Sequence, residues 1–214
     1  MKKRMMLLCL AVLLVGCAVI GGTLAGFNTE TEQQATAQIT TKSLSIKLLD
    51  TTIEETDTPL ADSLVTLKDE DGVMPGDVIA VSRCIENDAD YDLYTRATIY
   101  KRWNQDNLDA SKIQLVLGSE EEWIVWHQDD EQAILYCRRP LHGITEGGAT
   151  DVTGELLSGV QISSDIDNSY ANADIILEFE IDAVQKLAAD AAIPAEWGVY
   201  PTFDENGYIV KIAE

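Results

Sequence analysis

Beyond residue 43 the apolar positions recur mostly with a period of two, which is the signature of half-buried strands. Leu44, Ile46 and Leu48 alternate with Ser43, Ser45 and Lys47. Further runs rich in β-forming residues lie at 64–67, 78–85, 113–117, 123–126, 133–137, 156–162, 175–181 and 208–212. A long strand is expected over Leu93–Trp103, with Leu93, Thr95, Ala97 and Ile99 on one face and Tyr94, Arg96, Thr98 and Tyr100 on the other. The segments between these runs carry turn residues: Asp71-Gly72, Pro75-Gly76, Asn87–Asp92 and the Gly-rich stretch 145–151. One segment departs from the pattern. Val184, Leu187, Ala188 and Ala191 recur at i, i+3, i+4 and i+7, which predicts a short amphipathic helix over 182–192, with Asp182 favouring the helix N-terminus and Pro194 following the end. Many short strands and a single helix near the C-terminus predict a mainly β fold, an antiparallel sandwich, in one domain over 44–214.

The first 43 residues read differently. Lys2, Lys3 and Arg4 precede an uncharged run from Met5 to Phe27, with the small residues Gly21-Gly22-Thr23-Leu24-Ala25 near its end. This is the layout of a signal peptide over 1–25, and the cut is expected between Ala25 and Gly26. Two alternatives compete. The apolar run is long enough to be an uncleaved membrane anchor. Leu14-Val15-Gly16-Cys17 also has the form of a lipobox, although Ala18-Val19-Ile20 continues the apolar run where a polar tether is usual. Residues 26–43 are polar and rich in Thr and Gln, and read as a flexible N-terminal arm.

Charge narrows the function classes. The 214 residues hold 15 Lys+Arg, 37 Asp+Glu and 2 His, for a net charge of −22. Removing Lys2, Lys3 and Arg4 leaves 12 basic residues against 37 acidic ones, or −25. That balance opposes nucleic-acid binding and docking on anionic lipid, so contact with a membrane is expected through the leader alone. His127 and His142 are 15 apart with no H-E-x-x-H, and no G-x-S-x-G or phosphate-binding loop is present. No catalytic residue, resident metal or cofactor is therefore expected. The acidic runs Asp69–Asp71, Glu120–Glu122 and Asp129–Glu131 lack calcium-loop spacing, so at most a weak surface calcium site is open to them. Cys84 and Cys137 are the only cysteines past the leader. An exported chain permits one bridge between them, worth ~4 kcal/mol in the chain-entropy model.

A set of ordered motifs resembles the TasA/camelysin family. Gly21-Gly22-Thr23-Leu24-Ala25-Gly26-Phe27 is similar to the junction cut by that family's dedicated SipW-type signal peptidase. Ile39–Leu48 resembles its first strand. Pro75-Gly76-Asp77 followed by Asn87, then Tyr94-Thr95-Arg96-Ala97-Thr98-Ile99, then Ala183-Val184-Gln185 with Trp197-Gly198-Val199, resemble later family stretches. The resemblance implies a jelly-roll β-sandwich and a secreted matrix or cell-surface protein without enzymatic activity. It also implies self-assembly into biofilm fibres, with the arm, including Phe27 and Ile39, adding as a strand to the next copy. Two other functions stay open: a camelysin-like metallopeptidase, which the residues here do not equip with ligands, and a lipid-anchored surface binding module.

Overall fold

The computed structural model describes residues 46–51, 58–59, 64–67 and 74–214. The leader, its cleavage point at Ala25 and Gly26, Cys17, the arm with Phe27 and Ile39, and the acidic run Asp69–Asp71 lie outside the described residues. The chain divides into two units, Met1–Ser43 and Leu44–Glu214, and all the described residues belong to the second.

Two antiparallel sheets dominate. The first orders β2 (Thr58–Pro59), β1 (Ile46–Asp50), β4 (Val78–Asn87), β10 (Leu157–Ile162) and β6 (Ile113–Leu117), with β9 (Asp151–Val152) against the end of β4. The second orders β3 (Leu64–Leu67), β11 (Ile175–Gln185), β5 (Leu93–Trp103), β8 (Gln132–Cys137) and β7 (Trp123–Gln128). Their inner faces share one core. Val81, Ile85, Leu157 and Ile162 come from the first sheet; Ile99, Trp103, Leu135, Leu177 and Phe179 come from the second. The alternating pattern thus folds as a mainly β sandwich, as period-two burial requires.

Two cations are taken inside. Arg83, 3% exposed, pairs with Asp50 at 2.6 Å across the β1–β4 ladder. Lys101, 5% exposed, donates from Nζ to the Ile113 carbonyl at 2.5 Å and the Ala110 carbonyl at 3.3 Å. This bond ties β5 to the turn that enters β6. Burial pushes the Lys101 pKa down, against the opposing pull of Asp130, Asp129 and Asp109.

A third layer covers part of the second sheet's outer face. It consists of a 3-10 turn at Lys186–Ala188, helix α1 (Ala189–Trp197) and the hairpin of β12 (Tyr200–Phe203) and β13 (Ile209–Ala213). Ile193, Trp197, Val199, Ile209 and Ile212 from this layer close over Tyr94, Tyr136 and Val184 from the sheet. The strand β5 is consequently buried on both faces along its first half.

The helix expected over 182–192 is displaced. Residues 182–185 stay in β11, where Asp182, Ala183, Val184 and Gln185 pair with Arg96, Thr95, Tyr94 and Leu93. The apolar stripe is not one face, because Leu187 is 98% exposed while Val184 is buried. Cross-strand pairing and burial of Val184 outweigh a local helical preference, which is a small energy per residue. Pro194 sits inside α1 rather than after it. Gly198, at φ 69°, ends the helix by donating its N–H to the Pro194 carbonyl. Three short strands, β2, β9 and β12, add to those expected. Among the described residues no helix is long and apolar enough to cross a membrane.

This placement separates two substitutions. Trp197→Ala should lower stability by about 3–5 kcal/mol, as for other buried tryptophans. Leu187→Ala should change it by no more than about 0.5 kcal/mol. Equilibrium denaturation of both variants checks this, and a comparable loss for Leu187→Ala would restore the helical stripe.

Candidate functional site

Strand alternation sends Tyr94 and Arg96 to the outer face of the second sheet, beneath the C-terminal layer. The Tyr94 hydroxyl donates to the Gly207 carbonyl at 2.5 Å in the β12–β13 turn. Gly207 has φ 82°, a left-handed conformation that favours glycine, and a Cβ there would sit in tight contact, 3.3 Å from the Tyr94 Oη. The Arg96 guanidinium donates from Nε to Asp182 Oδ2 at 3.0 Å, with a second bond from Nη2 to the same oxygen. Its central carbon lies 5.6 Å from the Trp197 ring centroid, in cation–π range. Tyr136 packs on Trp197 with centroids 5.5 Å apart, and Trp126 meets Tyr136 edge-on at 6.5 Å.

Electrostatics fit this packing. Burial, reinforced by Asp190, Asp204 and Asp92, pushes the Tyr94 phenol up to about 12. Burial works against the Arg96 charge, but the Asp182 carboxylate outweighs it and raises the pKa.

The other motif residues are spread over the domain. Asn87 is fully buried. Its amide donates to the carbonyls of Tyr91, Leu141 and His142, and its Oδ1 accepts the Ala89 N–H. One side chain thus pins two loops together. Pro75-Gly76-Asp77 forms the turn into β4: the Met74 N–H donates to Asp77 Oδ2 at 2.8 Å, and Gly76 takes φ 90°. The Asp77 carbonyl accepts the Ile162 N–H from β10. Gln185 ends β11 opposite Leu93 and is exposed. The structure therefore brings Tyr94, Arg96 and Trp197 together, and leaves Pro75, Gly76, Asp77, Asn87 and Gln185 apart from them.

The two histidines belong to separate pairs. His127 Nε2 lies 2.9 Å from Asp129 Oδ2. Hydrogen bonding to His127, and to the N–H groups of Glu131 and Gln132, holds the Asp129 carboxyl at about 2. His142 Nδ1 lies 3.3 Å from Asp92 Oδ2, an oxygen that also accepts from Lys186 Nζ at 3.2 Å. Burial opposes the Asp92 charge, but the Gly143 N–H, Lys186 and His142 hold its carboxyl below the usual range. The acidic runs act within the fold. Glu122 Oε1 accepts the Gly154 N–H at 2.8 Å and Arg139 Nε at 3.3 Å, while Asp129 Oδ1 caps the turn at Glu131 and Gln132. Among the described residues no three His, Cys, Asp or Glu side chains converge where a metal ion would sit.

Cys84 and Cys137 are both buried thiols, and the bridge open to them in the sequence is not made. They belong to different sheets and point different ways. Cys137 lies in the core between the sheets, whereas Cys84, on β4, alternates with the inward Arg83 and Ile85 and contacts Thr51 Oγ1 at 3.7 Å. Burial pushes the Cys137 thiol up to about 12. A cleft of about 590 Å³ opens beside the last turn of β5, lined by Tyr100, Arg102, Leu108, Asp130 and Glu178 among others. Its lining mixes both charges, and the Tyr100 hydroxyl donates to Glu180 Oε2 at 3.3 Å.

Three cluster residues escaped the sequence reading: Asp182, Tyr136 and Gly207. Asp182 was open to detection, since continuing the β11 alternation past 181 sets its carboxylate across from an outward arginine, a favourable cross-strand pair. These elements define the chain as an antiparallel two-sheet sandwich with an aromatic C-terminal cover. It matches no protein-family model, no curated protein and no solved structure.

Two outcomes follow from the burial of these groups. Since the folded Tyr94 pKa lies above 10.0, its contribution to stability is present below pH 10 and is lost as pH rises toward about 12. Tyr94→Phe should cost about 1 kcal/mol at neutral pH and flatten that alkaline loss, as read by denaturant titrations across pH. Thiol labelling followed by mass mapping should find Cys137 unmodified until the protein unfolds. Rapid labelling of the native protein would contradict its burial.

Proposed function

We propose that this chain is an exported, acidic structural protein of a cell surface or extracellular matrix, akin to the TasA/camelysin family and acting without enzymatic chemistry or a cofactor. The observation that carries the reading is the meeting of Tyr94, Arg96 and Trp197. These motif residues lie up to 103 positions apart in the chain, yet they form one packed cluster, which supports the resemblance. A finer jelly-roll assignment is supported by connectivity. Along the chain β3, β4, β5, β6, β7–β8, β10 and β11 alternate between the two sheets. In this reading a dedicated SipW-type peptidase cuts between Ala25 and Gly26, and the arm 26–43 adds as a strand to a neighbouring copy.

The acidity then acts as a brake. At −25 after cleavage, copies repel one another until salt screens the charge or carboxylates take up protons. Fibres of the purified protein should form faster at mildly acidic pH or with divalent cations, as seen by electron microscopy. Indifference to both would contradict the brake. N-terminal sequencing of the exported protein tests the reading itself. A start at Gly26 supports it; a lipidated Cys17 would favour a surface-anchored module instead.

A further inference from the structure

Sheets present unpaired backbone at their edges, and proteins usually guard those edges with bulges, charges or proline. Most edges described here are guarded. The β7 edge carries a bulge between Val125 and His127, and acidic residues flank it on both sides. In the C-terminal hairpin, β12 contains Pro201 and β13 contains Lys211. Neither β3 nor β6 has these devices, but β3 sets Leu64 beside Glu178 of β11, whereas β10 sets no charged residue beside β6. Its sequence, Ile113-Gln114-Leu115-Val116-Leu117, has no charge, proline or glycine. Among the described residues β6 pairs only with β10, and the extra residue in that ladder, Ser158, belongs to β10.

The surface beside this edge is also uncharged. Register places Gln114, Gln161 and Val78 in one outward row, and Val116, Gly159 and Ala80 in the next. Val116 and Val78 are 41% and 64% exposed. In a chain of net charge −22, two adjacent rows without an ionisable group mark a place where a second copy meets little repulsion.

We propose that β6 is a self-association edge, at which two copies pair antiparallel about a two-fold axis through Val116. The backbone sets this register. The Ser163 N–H donates to the Lys112 carbonyl, so even-numbered residues of β6 turn toward β10, and Leu115 and Leu117 turn their N–H and C=O groups to the open side. Ile113 is already engaged, its N–H by Ala110 and its carbonyl by Lys101. Pairing Leu115 of each copy with Leu117 of the other satisfies the open groups. It sets the two Val116 side chains against each other as a non-hydrogen-bonded pair. The charges nearest this neutral strand lie outside it, and Lys112, at its start, is held by Asp165 at 2.7 Å. Such a contact is isologous and closes as a dimer. It uses neither the N-terminal arm nor strand donation into fibres, and stands or falls separately from them.

Val116→Cys tests the register directly. Cβ atoms of a non-hydrogen-bonded antiparallel pair lie about 4.5–5.5 Å apart, close enough for a disulfide after small adjustment. Mild oxidation of the purified protein should give a covalent dimer for Val116→Cys. Val78→Cys, on the same face but two strands from the edge, should give none. In sedimentation experiments the wild-type dimer should be lost in Val116→Lys. A wild-type protein that stays monomeric at every concentration reached would overturn the proposal. So would equal crosslinking at positions 116 and 78.

Discussion

The ladder between β5 and β11 is the constraint on which the rest of the domain depends. Both strands are eleven residues long, and every position from Leu93 to Trp103 has a partner between Gln185 and Ile175. Continuous pairing satisfies the backbone of both strands, so both can be buried without leaving polar groups unmet. The inward side chains Ile99, Trp103, Leu177 and Phe179 contribute to the main core. Outward, Tyr94 and Val184 found the second apolar cluster. One ladder therefore supports three layers. The long extension of β11 past residue 181, which removed the expected start of the helix, is what places Asp182 and Val184 under the C-terminal cover.

Buried polar side chains are few among the described residues, and three of them have a specific task. Asn87 gathers three loop carbonyls, Lys101 closes the turn into β6, and Arg83 balances Asp50. Each holds together segments that apolar packing alone would leave free to slide, because a buried donor must find its acceptor or lose stability. Of the motif residues, Asn87 belongs to this group. Asn87, Gly76, Asp77, Tyr94, Arg96 and Trp197 serve turns, loop pinning and the closure of the cover.

Much of the sandwich was legible in the sequence because strand burial leaves a period-two trace that needs no partner to read. The faces of β5 were separated correctly, with Ala97 and Ile99 apart from Tyr94 and Arg96. What the trace cannot carry is which face is covered twice. Tyr94 sits on the face that alternation would leave to solvent, and its burial depends on Trp197 and Ile209, more than a hundred residues on. The helix was misplaced for the same reason: Val184 and Leu187 look alike locally, and only the β5 ladder distinguishes them. The short strands β2, β9 and β12 escape detection because, unlike Leu64-Val65-Thr66-Leu67 of β3, they carry no run of branched aliphatic residues. Thr58–Pro59 and Asp151–Val152 also lack the apolar alternation that marks a strand. The cysteines show the limit of counting, since an even number says nothing about which side of a sheet each thiol occupies.

The ladder also sets the order in which the domain can form. Arg96 waits for Asp182, 86 residues later, and Tyr94 waits for Gly207, 113 residues later. A topology dominated by such distant pairs folds slowly, because loop closure must come before the contacts that reward it. During synthesis β5 emerges without a partner on either edge or a cover for its aromatic residues. It gains the cover only once residues 186–213 have been made. The domain is therefore completed by its last thirty or so residues. Until they arrive, Tyr94 and Tyr136 lack the apolar contacts that bury them in the finished domain.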